Sequence, residues 1–328
     1  MGRRRKKAVL ILLTALVFTG AVFVVSLCVG RFPLTPHTIL AGDKTALRVF
    51  YTLRLPRTVM ALTAGMALGC AGFVYQLIFK NPLAAPDIIG VSSGACAGAA
   101  AAILLLGTSA AGIAAASFCG GLLAVFLALG LSSLAGKKTL SSLVLSGVAV
   151  NALAQSFLML MKYLADPEKE LASIEYWTMG SFGSITASKL PVPTVTVLFG
   201  LGTLFLLHRR LLMLALDEDE ARMLGVPVSL FRMLALILAT LVTAAVVSTT
   251  GVISFVGLLA PHTARLLLKD NRMPTMLLSG LAGSGLLLTA DVIARSIASS
   301  ELPVSITTSV LGAPFLLWLV LKGGRKWD

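Results

Sequence analysis

Long apolar runs parted by short polar stretches fill the chain from Ala8 almost to its last residues. The runs are rich in Leu, Ala and Val and do not alternate with polar residues. They therefore read as helices and not as the strands of a barrel, the two structures that can satisfy their own backbone inside lipid. A helix needs about 20 apolar residues to cross hydrocarbon, and on that measure the pattern predicts about ten spans. They cover residues 8–29, 57–78, 91–107, 110–135, 141–164, 190–208, 229–249, 254–268, 275–296 and 304–321. The cut near 108 rests on Gly107 and Thr108 alone, and the run 254–268 is short and carries Pro261 and His262. The expectation is an all-α polytopic membrane protein, with residues 1–328 forming one transmembrane domain.

Composition agrees. Hydrophobic residues make up 57% of the 328 and charged residues only 12%, against about 25% charged in a soluble domain. That excludes a single water-soluble core, and it excludes disorder, which needs the opposite composition. The net charge of +13, from 27 Lys+Arg against 14 Asp+Glu, acquires meaning from its placement. With the amino terminus inside, the cations favour the inner side by about two to one. Both termini are then cytoplasmic, and the basic residues report topology and contact with the lipid bilayer. No nucleic-acid partner is implied. Residues 1–7 form a basic cytoplasmic start. The apolar run after them is too long for a cleaved leader, and Leu27 stands where a lipoprotein site needs a small residue, so an uncleaved first span is expected. Cys28, Cys70, Cys96 and Cys119 lie in apolar runs without metal-site spacing and read as small packing residues.

Four polar stretches remain. An outer loop, 30–56, ends in Arg54-Leu55-Pro56-Arg57, and an inner loop holds Lys80 to Asp87. A second outer loop covers 166–189, and an inner loop covers 209–229. In the last of these, Asp217 and Glu218 put acid at a helix amino terminus, and Gly225 with Pro227 supplies a stop. Leu216, Ala221 and Leu224 share one side, so the region 214–230 predicts short amphipathic helices on the cytoplasmic face. Such helices are too short to be stable alone. By its residues this loop is either a capped connector or a contact for something outside the chain.

Candidate chemistry is sparse. Gly90-Val91-Ser92-Ser93-Gly94 has the spacing of a nucleophile elbow, yet it follows no strand and opens an apolar helix. Asp291 is the acid that lies clearly inside a span, and Arg295 stands one turn later, positioned to neutralise it. An ion-coupled secondary transporter, the alternative reading, would want more carboxylates at mid-membrane. No catalytic set, no metal-ligand cluster and no phosphate-cradling loop is visible, so no cofactor is expected on this chain and the energy source lies elsewhere.

The residues then converge on a family. The chain resembles the FecCD-type permeases of bacterial ABC importers, which carry ferric siderophores, haem or cobalamin. Matching stretches are Leu53 to Arg57, Gln76 with Asn81 to Pro86, Gly90 to Ala95, and Trp177 to Phe182. They continue with Leu216 and Ala221 to Gly225, Phe255 to His262, Ala290 to Arg295, Glu301 to Pro303, and Gly312 to Phe315. The resemblance implies a homodimer with two cytoplasmic ABC ATPase subunits, which carry ATP and Mg, and one extracytoplasmic substrate-binding protein. The location implied is the bacterial cytoplasmic (inner) membrane. It also makes Leu216, Asp217, Glu218, Ala221, Arg222, Leu224 and Gly225 the contact that couples to the ATPase. Asp217 is a departure, since the family often has glycine there.

On the outer face, Arg54 and Arg57 are spaced to share a helix face, and Arg295 sits near the outer end of its span. The resemblance implies that they receive acidic residues of the binding protein. Snorkelling to headgroups, with Arg295 paired to Asp291, is the other reading. Asn81, Pro82, Pro86, Pro261 and His262 are expected to mark helix breaks at the inner end, not substrate ligands, with His262 hydrogen-bonding at a helix end.

Overall fold

Each apolar run closes its backbone hydrogen bonds within itself as a helix in the computed structural model. The model describes residues 2–30, 32, 42–107, 109–134, 139–215, 223, 227–297 and 301–323. Helix α1 is Gly2–Cys28. A short α2, Lys44–Val49, starts where the Asp43 side chain accepts from the Thr45 N–H at 2.9 Å. It runs through one π-helical turn, Phe50–Arg54, straight into α3, Leu55–Ile78. A 3₁₀ turn, Pro86–Ile89, precedes α4, Val91–Leu105. Then follow α5 (Ala110–Leu134), α6 (Leu140–Leu164) and the short α7 (Glu170–Thr178). Next come α8 (Pro191–Leu206), α9 (His208–Met213) and α10 (Val228–Thr250). The chain continues through α11 (Val256–Leu268), α12 (Met273–Ser296) and α13 (Val304–Gly323). Every expected span coincides with a helix, and no strand occurs among the described residues. Among the described residues, seven helices are long and apolar enough to cross a membrane, while α4, α11 and α13 are shorter apolar helices.

Helix α3 is the axle. Its most apolar stretch is 78% buried, against 6% for that of α1. It packs on α10, α11 and α12, and α1 rests chiefly on α12 while also touching α3. Lipid is as apolar as leucine, so helices in it associate through close van der Waals packing, which small residues permit. Gly65 lies against the Gly283 backbone and Gly69 against Ser279 and Gly280, so that a Cβ at either would overlap backbone atoms. The α4–α5 pair uses the same device, with Gly94 against Gly120 and Gly98 against Ala116. Leu10, Leu13, Leu16 and Val17 of α1 are exposed, as are Leu145, Leu153, Met159 and Tyr163 of α6.

One expectation needs correction. Pro261 and His262 do not break a helix: both lie inside α11, and the break precedes them, between Gly251 and Phe255. Gly251 (φ +74°) and Phe255 (φ +68°) make the turn with left-handed backbones. Pro261 has no N–H to give to the carbonyl of Gly257 one turn earlier. That carbonyl faces the backbone of Gly72 on α3, where a Cβ would collide with it. The proline is accommodated because its cost falls on a carbonyl turned to a neighbouring glycine. His262 is half-buried one residue on and is therefore mid-helix, not at a helix end.

Candidate functional site

Three polar clusters interrupt the apolar packing. The first lies at the outer end. Pro56 opens α3, placing Arg54 in the preceding π turn and Arg57 in the first helical turn. Arg57 reaches across to α12. Its Nε and Nη2 donate to Asp291 Oδ1 at 3.0 and 2.8 Å, and its Nη1 donates to Glu301 Oε1 at 2.8 Å. Arg295 Nη2 donates to the Ser26 carbonyl at 2.8 Å and to Ser26 Oγ at 2.6 Å, while its Nε faces Asp291 Oδ2 at 3.5 Å. Ser26 Oγ in turn shares a hydrogen bond of 2.9 Å with Thr58 Oγ1. Arg54 donates to the carbonyls of Leu27, Val29 and Phe32 at 3.2, 2.5 and 3.0 Å. The carbonyls of Leu27 and Val29 lie at the carboxy terminus of α1, the negative end of its dipole, where a cation is favoured.

The network thus ties the outer ends of α1, α3 and α12 to the loop before α13. Arg54, Arg57 and Arg295 are only 6%, 9% and 5% exposed. The sequence expectation placed their guanidinium groups outward, toward a partner or headgroups. The structure instead turns them inward onto the chain's own carboxylates and carbonyls, because burying three cations without partners would be prohibitive. The pairing of Arg295 with Asp291 is present, but the closer partner of Asp291 is Arg57. Ser26, Thr58 and Glu301 complete the set. Of these only Glu301 carried a sequence signal, in Glu301-Leu302-Pro303.

The second cluster surrounds the break after α3. Lys80 takes a left-handed backbone (φ +48°), and Asn81 Oδ1 accepts from the Leu83 N–H at 2.9 Å. The Ala84 N–H then donates to the Asn81 carbonyl at 3.1 Å, so Asn81 and half-buried Pro82 form a tight turn at the inner end. Pro86 does not stay there. It starts the 3₁₀ turn, which packs on α6 with Ile88 against Gly147, and Gly90 (φ +82°) redirects the chain into α4. A cavity of about 270 Å³ beside this turn is lined by Leu68, Asp87, Ser92, Thr243 and Phe255. Leu68 stands about ten residues, or about 15 Å, from the inner end of α3. The segment therefore re-enters the protein, and Pro86 marks a bend deeper than the inner end where it was expected. Asp87, which lines this cavity together with Ser92, is a second carboxylate at transmembrane depth. The hydropathy pattern assigns it to a loop.

The third cluster locks α11 to α3. Arg265 lies with its guanidinium 4.7 Å from the centre of the Phe73 ring. It donates to Gln76 Oε1, to the Phe73 carbonyl at 3.2 Å and to Asn271 Oδ1 at 2.8 Å. Gln76 Nε2 returns a hydrogen bond to the Leu258 carbonyl at 3.1 Å. A planar fork with five donors suits this site in a way a lysine could not. The sequence marked Arg265 only as an inner-side charge. No group of three or more His, Cys, Asp and Glu side chains placed to hold a metal occurs among the described residues.

Fold and polar clusters together are those of a multi-span protein braced at both ends, and comparison with known proteins decides its kind. The FecCD transport family model matches residues 15–322. The chain belongs to the FecCD transport family. It is 37% identical over 333 residues to the vitamin B12 import system permease protein BtuC of Salmonella paratyphi A, covering 98% of each chain. It is 35% identical over 289 residues to the hemin transport system permease protein HmuU of Yersinia pestis, covering 84% of this chain and 83% of that one. A solved metal-chelate type ABC transporter in an inward-facing conformation superposes with a TM-score of 0.88 at 36% identity, covering 95% of this chain and 99% of that one.

A FecCD chain is the membrane subunit of an ABC importer, not itself a catalyst, and it works with ATPase and substrate-binding partners. In this FecCD chain the residues expected to couple to the ATPase, Leu216, Asp217, Glu218, Ala221, Arg222, Leu224 and Gly225, lie outside the described residues. The helices flanking them are placed. Arg210 of α9 sits 4.9 Å over the ring of Phe231 on α10, which holds the two sides of the segment together.

Proposed function

We propose that this chain imports a metal chelate, of the ferric-siderophore, haem or cobalamin type, across the bacterial cytoplasmic membrane. The observation that carries the reading is the match, over nearly the whole chain, to a metal-chelate type ABC transporter. Relatives named for vitamin B12 and hemin transport point to the same class of cargo. The working unit is a homodimer with two ATPase subunits inside and one binding protein outside. ATP and Mg belong to the ATPase.

ATP binding closes the motor subunits, and the movement enters this chain through residues 216–225. The helices then exchange outward and inward openings, a two-state equilibrium that each ligand biases only by its differential affinity. The binding protein docks at the outer end, around Arg54, Arg57 and Arg295. Its carboxylates compete there with Glu301, whose side chain is 28% exposed and is the part of the network open to exchange. The inner turns at Asn81 and Pro82 and the Arg265 lock act as bends and braces, not as substrate ligands.

The test is co-reconstitution of the permease with its ATPase and binding protein in proteoliposomes. ATP-dependent accumulation of a labelled ferric siderophore, haem or cobalamin is the expected result. Accumulation without ATP, driven by an ion gradient, would overturn the mechanism. ATP-driven uptake confined to an oxyanion such as molybdate would overturn the cargo class.

A further inference from the structure

Helices α5 and α8 both pack on α10, and between their outer halves lies a cavity of about 840 Å³. That volume falls within the range of about 300–1,000 Å³ typical of small-molecule sites. The space exists because Ala110, Ala111, Ala114 and Ala115 line the α5 side, where larger residues would close it. Farther along the same two helices, Leu123 and Phe126 of α5 and Leu198 and Phe199 of α8 are exposed apolar side chains, as expected of faces turned to lipid. The cavity is open to the protein surface and not enclosed.

The mouth has a different chemistry. Among the described residues that line the cavity, Lys189 is the one charged side chain and none is a carboxylate. Its ammonium donates once, to the Ser184 carbonyl at 2.9 Å, which leaves two protons for an incoming group. Ser184 and Ser188 add hydroxyls beside it, and Tyr176 and Trp177 stand at the same rim. Trp, Tyr and Lys above an apolar slot are the side chains that mark the headgroup level of a membrane. With both termini cytoplasmic, this rim faces the outer leaflet.

We propose that the groove between α5 and α8 binds an anionic phospholipid of the outer leaflet. One acyl chain lies over the α5 alanines, and the phosphodiester sits on Lys189 with Ser184 and Ser188. The lipid fills the gap under the 180–189 segment. That segment is tied to the end of α10 through the Ser181 N–H on the Thr250 carbonyl at 2.7 Å, and to the start of α13 through the Val304 N–H on the Gly180 carbonyl at 2.9 Å.

The experiment uses the full-length permease in nanodiscs of phosphatidylglycerol and phosphatidylcholine, followed by native mass spectrometry after graded delipidation. Wild type should retain phosphatidylglycerol in preference to phosphatidylcholine. Lys189→Gln should lose about fivefold of that preference, the worth of one interfacial cation. Ala114→Phe, which fills the groove, should lose the retained lipid altogether. An independent arm needs no variant: phosphatidylglycerol with a photoreactive acyl chain should label wild type between Ala110 and Phe118 or between Val192 and Thr196. Equal retention by all three proteins overturns the proposal, and so does labelling confined to other helices. Cross-linking of a cysteine placed at Ala111 to a second copy of the chain would also overturn it, making the groove a protein interface. Transport is not among the readouts, so failure here leaves the importer reading untouched.

Discussion

Arg57 and Asp291, 234 positions apart in the chain, share hydrogen bonds of 3.0 and 2.8 Å to Asp291 Oδ1 and one of 3.3 Å to Oδ2. Asp291 is fully buried, so its charge has no solvent to fall back on. Removing one partner of a buried pair costs about 3–5 kcal/mol, because it strands the other charge, whereas replacing both by apolar residues of similar volume is often neutral. Arg57→Leu and Asp291→Leu should each lower the melting temperature of the purified permease sharply. The double variant should recover part of the loss and not all of it, since buried Arg295 then faces no carboxylate. Single variants that melt like the wild type would show that the pair is not a brace.

Glu301 is the network's exposed member, and its pair with Arg57 is worth less, about 1 kcal/mol or below. Glu301→Gln should therefore leave folding and dimer assembly intact while freeing one edge of the Arg57 fork. The expected outcome is tighter binding of the substrate-binding protein, measured by surface plasmon resonance at moderate salt. Unchanged affinity would place docking elsewhere on the outer face.

Gly72 is required by the carbonyl that Pro261 leaves without a donor. Gly72→Ala drives a methyl group into the Gly257 carbonyl and should cost about 1–3 kcal/mol as an overpacked contact. Gly20→Ala, on α1, meets nothing within 4 Å and should be neutral. A thermal shift of equal size in the two variants would refute this account of the α3–α11 contact.

Arg265→Lys keeps the charge and discards the fork. It should lose the stacking on Phe73 and at least one of the bonds to Gln76 and Asn271, a loss of about 1–3 kcal/mol. Hydrogen exchange should then rise in α11 and in the last turns of α3, with the outer arginine cluster unchanged. Uniform exchange throughout would mean that this lock does not act locally.

Gly225→Val tests the coupling segment. By its sequence Gly225 is a helix-stop glycine, a position that commonly calls for a left-handed backbone, which a β-branched residue adopts only with strain of order 1 kcal/mol or more. Assembly with the ATPase should survive, and substrate-stimulated ATP hydrolysis and uptake should be lost together. Normal hydrolysis and uptake would remove residues 216–225 from the coupling route.

The ten helices, their order and the family were legible in the sequence, because a segment in lipid must satisfy its backbone within itself and so announces its length by its apolar run. Motifs such as Leu53 to Arg57 and Glu301 to Pro303 also showed where polar residues interrupt that pattern. What they bind was decided elsewhere. A spacing of four pairs Asp291 with Arg295 on one helix, but only the packing of α3 on α12 through Gly65 and Gly69 brings Arg57 closer. Asp87 lies in a polar loop by its neighbours and at membrane depth by its fold, since re-entry depends on Gly147 and Gly90 receiving the turn. Pro261 looks like a break until Gly72 is seen facing the carbonyl it orphans. Backbone satisfaction is local and can be read along the chain; the pairing of buried charges and the tolerance of a proline depend on neighbours hundreds of residues away, and only tertiary structure supplies those.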